Sequence, residues 1–161
     1  MAQSLAPYRL RMATVDDVAI VARHRVAMFR DMGLVRGAAL APLEAGSARY
    51  LAGAIATGEY RGWLAELDGT VVAGAGAFLR PLLPRPGHPD GGTEAYVLNV
   101  YTDDAHRRRG LARVLMEVVL DWSRAQGVQR VTLHASDAGR PLYTSFGFSA
   151  SPEMVCEVAP G

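Results

Sequence analysis

Residues 99–112 read NVYTDDAHRRRGLA. The apolar residues before this segment predict a strand over 94–101, and the helical spacing of apolar residues after it predicts a helix over about 110–126. The first amides of a helix have no partners within the helix and lie at the positive end of its dipole. Gly110 lets a ligand come close to these amides because it has no side chain. The segment therefore predicts an anion-binding site at a strand–helix junction, for which pyrophosphate is the usual ligand.

The other elements follow from hydrophobic periodicity and from turn residues. Thr14 is placed to begin a helix, Gly58 to end one, and Asp68-Gly69 to form a tight hairpin turn. Four prolines and three glycines predict that residues 80–92 form a surface loop. In chain order the sequence predicts strand 8–12, helix 15–31, helix 42–57, strands 62–67 and 70–73, strand 94–101, helix 110–126, strand 128–135, short helix 140–146 and a last strand near 154–158. No repeat or linker interrupts this order, so we expect one α/β domain over residues 1–161.

The composition is that of an ordinary globular chain, with 50% hydrophobic and 20% charged residues and a formal net charge of +1. This charge gives no reason to expect nucleic acid or an anionic membrane as a partner. Cys156 is the only cysteine, so an intramolecular disulfide is excluded. No apolar run approaches the ~20 residues of a membrane-spanning helix, the N-terminus lacks the apolar core of a signal peptide, and we expect a cytoplasmic protein. The four histidines show no metal-ligand spacing, so no metal is expected.

Two motifs resemble the GNAT superfamily of N-acetyltransferases. Arg107-x-x-Gly110-x-Ala112 is similar to the family's diphosphate signature, which reads Gln or Arg, two residues, Gly, one residue, then Gly or Ala. Downstream, Leu142-Tyr143 followed by Gly147-Phe148 is similar to the family's cofactor-side helix and turn. The resemblance covers about residues 8–158, with specific motifs only in 94–148. It implies a mixed, splayed β-sheet flanked by helices, and acetyl-CoA as the acyl donor.

The resemblance also implies roles for particular residues. The backbone of residues 100–102 would contact the pantetheine arm, and the amides of residues 107–113 would surround the diphosphate. Tyr143 would act as general acid for the leaving thiolate, a role worth roughly 10²–10⁴-fold in rate. The implied cofactor-binding residues are Val100, Tyr101, Thr102, Arg107, Arg108, Arg109, Gly110, Leu111, Ala112 and Arg113.

The general base is not given directly by the resemblance. In one branch of the family a glutamate lies four residues before the position that Val100 occupies, and this chain has Tyr96 there. Glu94 lies two residues earlier, and strand alternation predicts that it shares a face with Tyr96, Leu98 and Val100. Glu94 is therefore a candidate base, with a solvated strand residue as the alternative.

We expect direct transfer of an acetyl group from acetyl-CoA to a primary amine, carried by a small molecule or a peptide. Three alternatives stay open, namely another acyl group, a hydroxyl acceptor, and an acyl-CoA-binding module without activity. Homodimerisation is common in the family, and the sequence neither requires nor excludes it.

Overall fold

The computed structural model describes residues 5–158, which form a five-stranded sheet with helices on both faces. The elements are β1 (Arg9–Met12), α1 (Val18–Asp31), α2 (Leu40–Thr57), β2 (Tyr60–Leu67), β3 (Thr70–Leu82), β4 (Gly92–Thr102), α3 (Leu111–Ala125), β5 (Arg130–Leu133) and α4 (Arg140–Ser145). The spatial order of the strands is β1-β2-β3-β4-β5. The first four strands are antiparallel neighbours, and β5 runs parallel to β4. The predicted class, a mixed α/β sheet flanked by helices, is confirmed. Within these residues no helix is long and apolar enough to cross a membrane.

Two apolar cores lie on opposite faces of the sheet. The core under α3 contains Trp63, Val97 and Leu115, and the core under α1 and α2 contains Val21, Leu51 and Leu64. Trp63 and Leu64 are neighbours in β2 and enter different cores because successive strand residues point to opposite faces. The sheet is thus buried on both sides, and its two faces differ in what packs against them.

Two predictions made from the sequence are wrong, the extent of the loop over residues 80–92 and the strand near 154–158. Residues 80–82 and 92 belong to strands, so the loop shrinks to residues 83–91. Pro81 is tolerated because β3 has lost β2 as a neighbour beyond Phe78 and is paired only with β4 there. The predicted last strand near 154–158 is absent from the described chain, since these residues have no regular structure. Met154 and Val158 are 93% and 85% exposed, so this segment has no sheet partner to stabilise a strand.

β4 contains a bulge that changes the direction of its side chains. Gly74 pairs with Tyr101 and Gly76 with Leu98, so β4 has one residue more than β3 between these pairs. Asn99 takes up the extra length with a φ of 56°. Leu98 therefore packs against the core under α1 and α2, whereas Val100 packs against the core under α3. The expectation that Val100 shares a face with Glu94, Tyr96 and Leu98 is wrong because the bulge breaks the alternation.

β4 and β5 separate shortly after they meet. Their pairing runs from Glu94 with Arg130 to Val97 with Leu133 and then stops, while β4 continues to Thr102. The backbone of residues 98–102 consequently has no strand on its β5 side. This separation opens the sheet between the two strands.

His24 is a buried histidine whose protonation should affect stability. It is 3% exposed, and neither ring nitrogen has a hydrogen-bond partner in the described residues. Burial lowers the pKa of His24, against a weaker opposing effect of Asp103, whose Oδ1 lies 3.7 Å from Nε2.

We therefore predict that acid destabilises the wild-type protein more than it destabilises the His24→Phe variant. Because the folded pKa is lowered, the unfolded chain binds a proton more readily than the folded chain once the pH falls below the ordinary histidine value of ~6.5. The free energy of unfolding should therefore fall more in the wild type than in the variant between pH 7 and pH 5.5. Urea unfolding at both pH values measures this difference. Equal losses in the two proteins would contradict it.

Candidate active site

A cavity of about 660 Å³ occupies the opening between β4 and β5. Its walls come from α1, the second half of β4, the start of α3, the residues after β5, and α4. The cavity is lined by most of the residues that the sequence singled out, which are Val100, Tyr101, Thr102, Arg107, Arg108, Gly110, Leu111, Ala112, Arg113 and Tyr143. Arg109 and Glu94 do not line it.

Six consecutive amides, from Arg108 to Arg113, have no hydrogen-bond acceptor among residues 5–158. They open α3, which supplies the positive end of a helix dipole. Arg108 and Gly110 both have left-handed backbones, with φ of 61° and 81°, and such turns gather successive N–H groups into a concave anion site. The amide of Arg107 differs, since it donates to the Asp104 carbonyl at 3.3 Å. The unpartnered amides therefore begin one residue later than the sequence predicted.

The arginines of this segment have different partners. The guanidinium of Arg107 contacts the carboxylate of Asp31 at 2.6 Å and that of Asp104 at 2.8 Å, and these partners raise its pKa, Asp31 most strongly. Arg109 donates to Tyr8 Oη at 3.2 Å. Arg108 lines the cavity and has no side-chain hydrogen bond or ion pair in the described chain. Arg107 thus connects the loop to α1, while Arg108 is the arginine available to an anion.

Tyr143 projects from α4 into the same cavity. Its ring packs edge-on against Phe148 with centroids 6.0 Å apart, and a side chain at Gly139 would place its Cβ 2.9 Å from the ring. The glycine therefore makes room for the tyrosine. Burial raises the pKa of Tyr143, so its hydroxyl keeps its proton at neutral pH.

A second cavity, of about 460 Å³, lies between α2 and the neighbouring strands. It shares Arg25, Leu98 and Asn99 with the first cavity. Arg25 donates to Asn99 Oδ1 at 2.7 Å, and Asn99 in turn donates to Tyr60 Oη at 3.2 Å. The two cavities meet at the bulge of β4.

Comparison with known proteins decides the family. A model of the acetyltransferase (GNAT) family matches residues 34–148, more than half of the chain. The chain belongs to the GNAT acetyltransferase family. The family predicted from the Arg107 and Tyr143 motifs is thereby confirmed.

Solved structures and sequence relatives agree with this assignment. A GCN5-related N-acetyltransferase from Ralstonia eutropha JMP134 is 36% identical, with a TM-score of 0.87 over 95% of this chain and 99% of its own. A predicted acetyltransferase from Clostridium acetobutylicum, crystallised with acetyl-CoA, shares the fold at 22% identity, with a TM-score of 0.84 over 94% and 96% of the two chains. A glucosamine 6-phosphate N-acetyltransferase from Trypanosoma brucei brucei is 30% identical over 51% of this chain and 53% of its own. The chain spans about half the length of the curated relatives it matches.

In the acetyltransferase fold, Glu94 lies in the paired part of β4 and not at the opening. Its two carboxylate oxygens each contact an arginine at 2.9 Å, one from Arg80 and one from Arg130. It is 6% exposed and does not line the cavity. The carboxylate is thus occupied by two arginines outside the cavity, contrary to the expectation that Glu94 leads toward the reacting groups.

Sequence analysis missed two polar pairs in the acetyltransferase site. Tyr96 Oη lies 2.9 Å from His134 Nδ1, and both residues line the first cavity. Arg25 and Asn99 form the second pair. The sequence does contain a signal for Arg25. It falls on the same helical repeat as Val18, Ala22 and Phe29, so it places a charge on an otherwise apolar helix face. Among the described residues no cluster of three or more His, Cys, Asp or Glu could hold a metal ion.

Proposed function

We propose that this acetyltransferase binds acetyl-CoA and transfers the acetyl group directly to a primary amine within a ternary complex. One observation carries the proposal, namely the six unpartnered amides from Arg108 to Arg113 at the edge of the cavity between β4 and β5. Family membership supports the choice of donor, and the Clostridium neighbour crystallised with acetyl-CoA is consistent with it.

Donor binding would use backbone more than side chains. The diphosphate of acetyl-CoA accepts hydrogen bonds from the amides of residues 108–113, and the Arg108 guanidinium adds charge. The pantetheine arm extends along residues 98–102 of β4, where the peptide groups have no neighbouring strand on the side of β5. Its amides pair with that free edge in the manner of an added strand. Val100 and Thr102 lie along this edge.

Bond breaking would depend on Tyr143. The amine nitrogen attacks the thioester carbonyl carbon, a backbone donor near Val100 polarises the carbonyl oxygen, and the C–S bond then breaks. The Tyr143 hydroxyl gives its proton to the departing sulfur, which leaves as a thiol. The Tyr143 hydroxyl carries its proton at neutral pH, as this role requires, and burial raises its pKa further.

His134 would remove the proton from the amine. It lines the cavity, unlike Glu94, and its Nδ1 lies 2.9 Å from Tyr96 Oη. When Nδ1 carries the proton and donates to the tyrosine oxygen, Nε2 keeps a lone pair that can accept a proton from the ammonium group. Tyr96 is then a positioning residue that selects the tautomer. The base is a histidine at the end of β5 rather than a carboxylate on β4.

Donor binding is tested by Gly110→Ala, with Gly127→Ala as a matched control. Both glycines have positive φ, 81° and 68°, so each substitution carries a similar backbone cost of ~1–2 kcal/mol. Gly110 lines the cavity and Gly127 does not. We expect Gly110→Ala to weaken CoA binding at least about tenfold and Gly127→Ala to leave it within about twofold. Calorimetric titration with CoA measures both, and equal affinities would overturn the donor site.

The acid is tested by Tyr143→Phe, which removes only the hydroxyl. We expect kcat to fall by roughly 10–10³-fold with little change in KM for acetyl-CoA, because the proton is transferred only in the transition state. Steady-state thiol release measures both constants. A kcat within about twofold of wild type, with chemistry rate-limiting, would show that another group supplies the proton.

The base is tested by His134→Gln, with His88→Gln as the control on the remote loop 83–91. We expect kcat to fall by roughly 10²–10⁴-fold in His134→Gln and to stay within about twofold of wild type in His88→Gln. Tyr96→Phe should lower kcat less than His134→Gln does, since the imidazole is retained. An unchanged kcat in His134→Gln, with chemistry rate-limiting, would remove the histidine from the mechanism.

A further inference from the structure

The second cavity is mostly apolar, and Arg25 is the one charged residue among the described residues that line it. Aliphatic and aromatic side chains of α2 and β3 form most of its wall, including Leu43, Tyr50, Leu51 and Phe78. Among residues 5–158, no Asp or Glu lines it. Within the same residues, Asp31 is the one carboxylate along the first cavity, and it pairs with Arg107 at 2.6 Å. A ligand in the second cavity therefore meets a hydrophobic surface and the guanidinium of Arg25.

Arg25 is held in place without a counter-ion. Its Nη1 donates to Asn99 Oδ1 at 2.7 Å, and its guanidinium lies 4.7 Å from the centre of the Phe29 ring. No carboxylate lies within 4.0 Å of it in the described chain. Arginine stays charged in proteins even where burial lowers its pKa, as it does here. The remaining N–H groups of a fixed, planar guanidinium match the two oxygens of a carboxylate.

Arg25 lines both cavities and so lies at the junction between them. An acceptor held in the second cavity has to pass this junction to reach a donor in the first, so an anion bound to Arg25 belongs to the part of the acceptor next to its amine. In an α-amino acid the carboxylate and the amine are bonded to one carbon, which satisfies this condition, and the side chain leaves that carbon in a third direction. Polyamines and aminoglycosides carry further cations, for which the second cavity offers no carboxylate.

Resting on the proposed function, we infer that the acceptor is a free α-amino acid with an apolar side chain. Its carboxylate binds Arg25, its side chain occupies the second cavity, and its amine points into the first cavity toward the thioester. Asn99 and Tyr60 act as positioning residues, because their hydrogen bonds fix the guanidinium.

The test compares acceptors that differ only in the carboxylate. L-Phenylalanine and L-leucine are assayed against phenethylamine and isopentylamine, with spermidine and glucosamine 6-phosphate as polar acceptors, by thiol release from acetyl-CoA. We expect the two amino acids to exceed their decarboxylated counterparts at least about tenfold in kcat/KM, as a bidentate ion pair worth ~1.5–3 kcal/mol requires.

Two pairs of variants test separately how the protein binds the carboxylate and the side chain of the acceptor. Arg25→Gln should raise KM for L-phenylalanine at least about tenfold more than KM for phenethylamine, while Arg23→Gln, exposed on the same helix, changes neither. Gly46→Leu adds a side chain to the wall of the second cavity, so it should reduce turnover of L-phenylalanine more than that of L-alanine. Gly53→Leu is its control, because Gly53 lies on α2 with nothing within 4 Å of its added Cβ.

Binding of L-phenylalanine to the CoA-loaded protein gives a readout that does not require turnover. Arg25-dependent binding with no thiol release from any amine would support the inference and overturn the proposed transfer. Turnover of phenethylamine or spermidine equal to that of the amino acids, or normal L-phenylalanine kinetics in a folded Arg25→Gln protein, would overturn the inference while the transfer stands. If Arg25→Gln does not fold, an unchanged side-chain preference in Gly46→Leu overturns it.

Discussion

The bulge at Asn99 is the constraint on which the rest of the site depends. A φ of 56° is unfavourable for most residues, but asparagine tolerates the left-handed region better than others. Its side chain also makes two hydrogen bonds, to Arg25 and Tyr60, that exist only when it points toward α1. These bonds offset the backbone cost and hold the kink. Without the extra residue, Val100 would point toward α1, and the two cavities would lose their common wall.

The site also depends on how β4 and β5 are paired. They are joined at the end of β4 that contains Glu94, which we call the closed end, and they separate beyond Val97, at the open end. At the closed end, Glu94 contacts arginines from β3 and β5, so three strands are joined by one buried carboxylate. Without both arginines the buried carboxylate would be left without compensation, which is costly. At the open end, residues 98–102 are paired with β3 and have no strand on the side of β5 among the described residues. The ion pairs therefore join the strands at the closed end, and Glu94 has a structural reason to be a carboxylate.

Local signals account for what the sequence could predict. The start of α3 next to Gly110 and the hairpin at Asp68-Gly69 each depend on neighbouring residues and were predicted correctly. The errors share a different origin. The role of Glu94 was inferred from unbroken strand alternation, which one inserted residue reverses. The pairs Arg25–Asn99 and Tyr96–His134 join residues 74 and 38 positions apart, and no local pattern predicts such contacts.

The charge of the second cavity follows from the same geometry. A guanidinium that is partly removed from water and has no counter-ion attracts an arriving carboxylate by about 4 kcal/mol at 4 Å, for an effective dielectric constant of ~20. Desolvation of the carboxylate opposes this gain. An acceptor with a second ammonium group is repelled by Arg25, because the two charges have the same sign. No Asp or Glu among the described residues of the second cavity offsets this repulsion. One arginine on an apolar helix face thus sets the sign of the charge that the acceptor must carry next to its amine.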